Sequence, residues 1–121
     1  MSDVFRDVET FMVAAGQTTN IDNEEQSMLY RRLINEEYNE FITAVVQNDD
    51  VETIDACFDT IWVIIGYMKS RGWDCTGAWN EGALSNLRKI DKATKTVLKR
   101  ADGKVLKPEG WQPPDFSKFA K

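Results

Sequence analysis

The sequence predicts an all-α protein: an antiparallel bundle of about four helices, completed by oligomerisation, with a small C-terminal hairpin and extended tail. Three observations carry that expectation. Apolar residues recur at helical spacing in four successive segments, each bounded by a capping residue or a glycine. β-favouring runs are confined to one short stretch near the C-terminus. The segment "FDTIWVIIGYM" is apolar on nearly every face and needs cover on all sides, more than one chain of 121 residues supplies by itself.

The elements follow in order. Ser2 is the expected cap of a first helix in which Val4, Phe5, Val8, Phe11, Met12 and Ala15 share a face, and Gly16 stops it. After the polar loop "QTTNIDN", Asn23 with Gln26 three places on resembles a capping box, opening a second helix from Glu24 to Gln47. "NDD" breaks the chain, Asp50 caps a third helix through Arg71, and Gly72 closes it. A fourth helix is expected from Ala78 to Lys92, with Leu84, Leu87 and Ile90 on its apolar side. In "TVLKRADGKVLK" two short runs flank Asp102-Gly103, a hairpin signal, and Pro108, Pro113 and Pro114 extend the tail. With no repeat and no linker, residues 1–121 read as a single domain.

Composition excludes several chemistries. The chain has no histidine, which removes Ser-His-Asp and Cys-His nucleophile systems, histidine bases and histidine-ligated metals. Cys57 and Cys75 form no CxxC pair and read as free, buried thiols. No apolar run approaches the roughly 20 residues of a membrane span, and "MSDVFRDVET" is unlike a signal peptide. A cytoplasmic protein without a membrane partner is therefore expected. The net charge of −5 divides unevenly: residues 1–59 sum to −11 and residues 86–107 to +6. That division suits an anionic ligand bound through cations. A nucleic-acid partner is not expected, because the basic segment lacks interleaved aromatics and acids dominate elsewhere.

What remains for chemistry is carboxylates, lysines and hard metal ions. On the second helix Leu33, Glu37, Glu40 and Ala44 fall along one stripe; on the third, Val51, Asp55, Asp59, Trp62 and Gly66 do the same. An antiparallel hairpin of these helices brings both acidic pairs face to face. Several ionised carboxylates in an apolar setting destabilise one another unless a cation neutralises them. All-oxygen ligation favours Mg²⁺ or Mn²⁺, and Mg²⁺ commonly bridges to phosphates. Glycines of a phosphate-binding P-loop are missing, so activation falls to the carboxylates.

"EEYNE" followed by "DACFD" resembles the paired acidic motifs of the all-α nucleoside triphosphate pyrophosphohydrolases. "SNLRKIDK" and "DGKVLKPEGWQPPDF" resemble the tail of short MazG-like members of that superfamily. The resemblance implies that Glu37 and Glu40 bind metal, with Glu36 as a further ligand or the base that deprotonates water. It implies that Asp59 is a metal-binding aspartate. Where the family has glutamate three residues earlier, this chain has Ala56, and Asp55 is the available substitute. Asn86 and Lys89 match nucleotide-contacting positions, and Lys104 and Lys107 are candidate phosphate contacts. Trp62 stands where the family often has tyrosine and reads as core.

The function expected is metal-dependent conversion of a (d)NTP to (d)NMP and pyrophosphate by a homodimer or homotetramer. The amides of "GQTTNIDN" and the resemblance to short members point to a purine such as dGTP or GTP. The rival expectation is a non-catalytic helical oligomer in which the carboxylates hold a structural divalent cation, with metal raising stability but no turnover.

Overall fold

A computed structural model describes residues 3–120 and is all-helical, with four helices and, among the described residues, no strand. α1 spans Val4–Ala14, α2 Glu24–Val46, α3 Asp50–Ser70 and α4 Cys75–Leu87, and a 3₁₀ turn covers Ser117–Phe119. The chain divides into two compact units, one reaching to Cys75 and one beginning at Thr76.

In the first unit the caps explain the boundaries. Ser2 lies outside the described residues; Asp3 caps α1, its carboxylate accepting the Phe5 and Arg6 N–H groups. Asn23 accepts the Gln26 N–H at 3.0 Å, as a capping box requires. The reciprocal half is absent, because the Gln26 amide instead donates to Thr18 O and Ser70 Oγ and accepts the Thr18 N–H. α3 begins at the expected cap itself, so the cap moves back by one residue. Asp49 accepts the Glu52 N–H, and Asp50 is already helical. Either aspartate of the pair has the chemistry, and the one used directly follows the left-handed backbone at Asn48, φ 55°. Gly72, φ +72°, ends α3 where a Cβ would meet the Ile21 backbone at 2.8 Å, so both conformation and space demand glycine there.

α2 and α3 share the most extensive helix contact and form the expected hairpin, with α1 packed on α3. The core joins Val8, Met12, Tyr30, Val63, Ile65 and Cys75, flanked by Leu33, Trp62 and Met68. Tyr30 fills the space above Gly66, and its hydroxyl donates to the Gln17 side chain at 2.6 Å. Trp62 packs against this core, edge-on to Phe11. α3 is not covered all round within one chain. Val51, Ile54, Phe58 and Ile61 form an exposed apolar stripe, with Val51 75% and Ile54 70% exposed. Cys57 lies on that uncovered side and is exposed, contrary to expectation, whereas Cys75 is buried; both are free thiols.

The second unit departs further from the sequence reading. α4 starts three residues earlier than expected and stops at Leu87, leaving Ile90 outside the helix. The expected hairpin is reduced to a single antiparallel bridge, Lys99 to Val105, closed by a turn in which the Gly103 N–H reaches Arg100 O. The proline-rich tail lies back along α4: the Asp115 N–H donates to Glu81 at 2.9 Å, and Phe116 sits against Gly82. No helix among the described residues is long and apolar enough to cross a membrane.

Candidate functional site

Along the two stripes that the sequence places on α2 and α3, burial is interrupted at the carboxylates, and the α3 stripe ends exposed at Val51. Leu33, Trp62 and Gly66 belong to the core or flank it, Ala44 and Ala56 are buried, and Val51 is exposed. Glu37 and Asp59 are half-buried; Glu36, Glu40 and Asp55 are exposed.

Carboxylate oxygens of Glu37, Glu40 and Asp59 all lie within 4.8 Å of one another. Three like charges at that spacing repel, and the protonation equilibria of Glu37 and Asp59 record it. Burial, the contact with the Glu40 carboxyl, and the charges of Glu40, Asp59 and Asp55 push the Glu37 carboxyl up to about 7. Burial and then the adjacent Asp55 carboxylate, with Glu40 beyond it, hold Asp59 above the ordinary aspartate range. Oε2 of Glu37 is buried and has no hydrogen-bond partner. A buried polar oxygen in that state is uncommon in folded proteins, and a hard cation satisfies it. The donor set is all oxygen, so these residues fit a divalent ion of the Mg²⁺ or Mn²⁺ type.

The other expected residues are distributed as follows. Asp55 stays outside the group of three but adjoins Asp59. Glu36 is also outside it. Beside the cluster, a cleft of about 290 Å³ between α2 and α3 is lined by Asn39, Glu40, Thr43, Glu52, Asp55 and Ala56. The buried methyl of Ala56 thus forms part of the cleft wall, at the position where the sequence resemblance implies a glutamate. In the polar loop, Gln17 is engaged by Tyr30, and Asn23 by the start of α2 and by Thr18. Asn20 is left as the exposed amide of that loop.

In the second unit Lys89 Nζ donates to the Asn86 side chain at 3.0 Å. The ammonium groups of Lys89 and Lys107 lie 5.0 Å and 5.3 Å from the centroid of one ring, that of Trp111. Lys104 is not brought to this group; it stands exposed in the turn, its N–H bonded to Asp102. The role of Trp111 escaped the sequence reading, although an indole amid lysines and prolines is a signal worth following.

A family model described as phosphoribosyl-ATP pyrophosphohydrolase matches residues 6–86, which takes in all five acidic candidates and ends at Asn86. No individual curated protein matches the chain. A match over two thirds of the sequence, on an all-helical scaffold with its carboxylates gathered on one hairpin, shows that the chain belongs to the phosphoribosyl-ATP pyrophosphohydrolase family and carries an all-α pyrophosphohydrolase domain.

Proposed function

We propose that this protein is a Mg²⁺- or Mn²⁺-dependent nucleoside triphosphate pyrophosphohydrolase that converts a (d)NTP to (d)NMP and pyrophosphate. The observation that carries the reading is the convergence of Glu37, Glu40 and Asp59 oxygens within 4.8 Å of one another, with a buried, unpartnered oxygen on Glu37. Glu37, Glu40 and Asp59 hold the cation, and Asp55, adjoining Asp59, completes the set in place of the missing glutamate. When bound, a divalent ion supplies the positive charge that offsets both the carboxylates and the phosphates, and it makes nearby water more acidic. Of the two roles open to Glu36, its exposure and its separation from the group of three favour the base. Glu37, already poised near neutrality, is the second candidate for moving a proton. Asn86, Lys89, Lys104 and Lys107 are assigned to nucleotide and phosphate contacts.

For the base we favour a purine, as in dGTP or GTP, supported by the resemblance to short family members and by the exposed Asn20 amide. Residues 1–121 act as one domain in this reading. The exposed stripe on α3 supports a homodimer or homotetramer, and the composition supports a cytoplasmic location. The test is a panel of the canonical dNTPs and NTPs with Mg²⁺ and with Mn²⁺, following pyrophosphate release. Turnover of one or a few nucleotides, lost in EDTA, is expected. A metal-dependent rise in melting temperature with no release from any nucleotide would favour the structural cation instead.

A further inference from the structure

A helix leaves its last four carbonyls without intrahelical partners. At the end of α4, Leu84 O accepts the Arg88 N–H, Asn86 O the Lys89 N–H and Leu87 O the Ile90 N–H. The remaining one, Ser85 O, accepts the indole Nε1–H of Trp111 at 2.7 Å, from 26 residues away in sequence. Trp111 therefore finishes the helix, and the same ring stands against the ammonium groups of Lys89, at 5.0 Å, and Lys107, at 5.3 Å. Among the described residues the ion pairs are Arg71 with Asp22 and Arg100 with Asp102, and neither lysine takes part in one. Two cations are thus gathered at one aromatic ring with no carboxylate to neutralise them. The negative potential of the ring's π-system attracts each cation, and a polyanion placed against both would neutralise them.

We propose that Trp111 is a positioning residue that holds Lys89 and Lys107 as one binding site for an inorganic diphosphate group, the pyrophosphate portion of the substrate and product. The inference rests on the pyrophosphohydrolase reading for its biological use, but its geometry is independent of the carboxylates. Lys89, Lys107 and Trp111 all lie beyond the residues matched to the family. Preorganisation is the physical content: each lysine keeps donors free while its long side chain is already ordered, so less conformational freedom is lost when the anion binds.

Titration calorimetry of the full chain with inorganic pyrophosphate in EDTA tests it, since no divalent ion is then present to bind the ligand. The wild type should bind. Trp111→Leu should weaken binding about tenfold, as expected for two exposed cation–π contacts, and should raise KM for the nucleotide more than it lowers kcat. Introduced into a Lys89→Ala/Lys107→Ala background, the same change should have no further effect. Should Trp111→Leu fail to fold, Trp111→Phe, which keeps a ring but loses the bond to Ser85, should show a smaller loss with the same dependence on the lysines. No pyrophosphate binding by the wild type, wild-type affinity in both Trp111 variants, or an equal loss in the lysine-free background would overturn the proposal. The two readings fail separately. Pyrophosphate binding that depends on Trp111, without turnover of any nucleotide, sinks the enzymatic reading alone; turnover with Trp111-independent affinity and KM sinks this one alone.

Discussion

Glu37 makes the metal-free protein less stable as pH rises, the reverse of what a salt-bridged carboxylate does. Its ordinary value is 4.5 and its folded value about 7, so the folded state holds the proton more tightly than the unfolded chain does. Below pH 4.5 both states are protonated and there is no penalty. Between 4.5 and about 7 the unfolded chain ionises first and stability falls; above about 7 the penalty is complete. At 1.36 kcal/mol per pH unit the ceiling is about 3 kcal/mol. Solvent at the exposed Glu40 and Asp55 side screens the repulsion, which brings the expected loss to about 1–2 kcal/mol. Glu37→Gln removes this charge, and with it the repulsion it exerts on its neighbours. The assay is urea unfolding in EDTA at pH 5 and pH 8, at one fixed protein concentration. The wild type should lose about 1–2 kcal/mol more than Glu37→Gln across that interval. At pH 8 a divalent ion at 100 times its Kd should restore about 2.7 kcal/mol to the wild type. Parallel pH dependence in the two proteins would refute the claim that Glu37 is a strained member of the cluster.

Other outcomes follow from the same geometry. Asp59→Asn should abolish turnover while leaving the fold intact or more stable, because it removes charge from a crowded site; circular dichroism and a nucleotide assay together check this, and unfolding would favour a structural cation. Asp55→Ala should approach the loss seen for Asp59→Asn, whereas near-wild-type activity would remove Asp55 from the ligand set. The exposed stripe of Val51, Ile54, Phe58 and Ile61 predicts at least a dimer in light scattering, and Ile61→Glu should weaken it; a clean wild-type monomer at micromolar concentration contradicts that. Gly66→Ala places a methyl inside the Tyr30 ring and should cost about 1–3 kcal/mol in thermal unfolding.

Local chemistry made the helices and the acidic site legible. Spacings of three and four residues put Glu37 with Glu40 and Asp55 with Asp59 on facing stripes, and a tight turn at Asn48 allowed only an antiparallel return. What escaped was set by distant partners. The Leu84, Leu87 and Ile90 pattern suggested a longer α4, yet the helix ends where the Trp111 indole takes up the Ser85 carbonyl. The Gln26 side chain matched a capping box but bonds to Thr18 and Ser70, a residue 44 positions away. Likewise the Gln17 side-chain oxygen is taken up by Tyr30 and the Asn23 amide by Thr18. An apolar stripe also does not reveal where its cover stops, so the exposure of Glu40, Asp55 and Cys57 was not legible from periodicity.

In the proposed reaction, water attacks the α-phosphorus of a nucleoside triphosphate at the Glu37, Glu40 and Asp59 cluster. Turnover of the preferred nucleotide in heavy-oxygen water, with Mg²⁺ and mass analysis of both products, tests it most directly. Nucleoside monophosphate and pyrophosphate should form in equal amounts, with the label in the monophosphate and none in the pyrophosphate. Label in the pyrophosphate, or release of nucleoside diphosphate with orthophosphate, would contradict it.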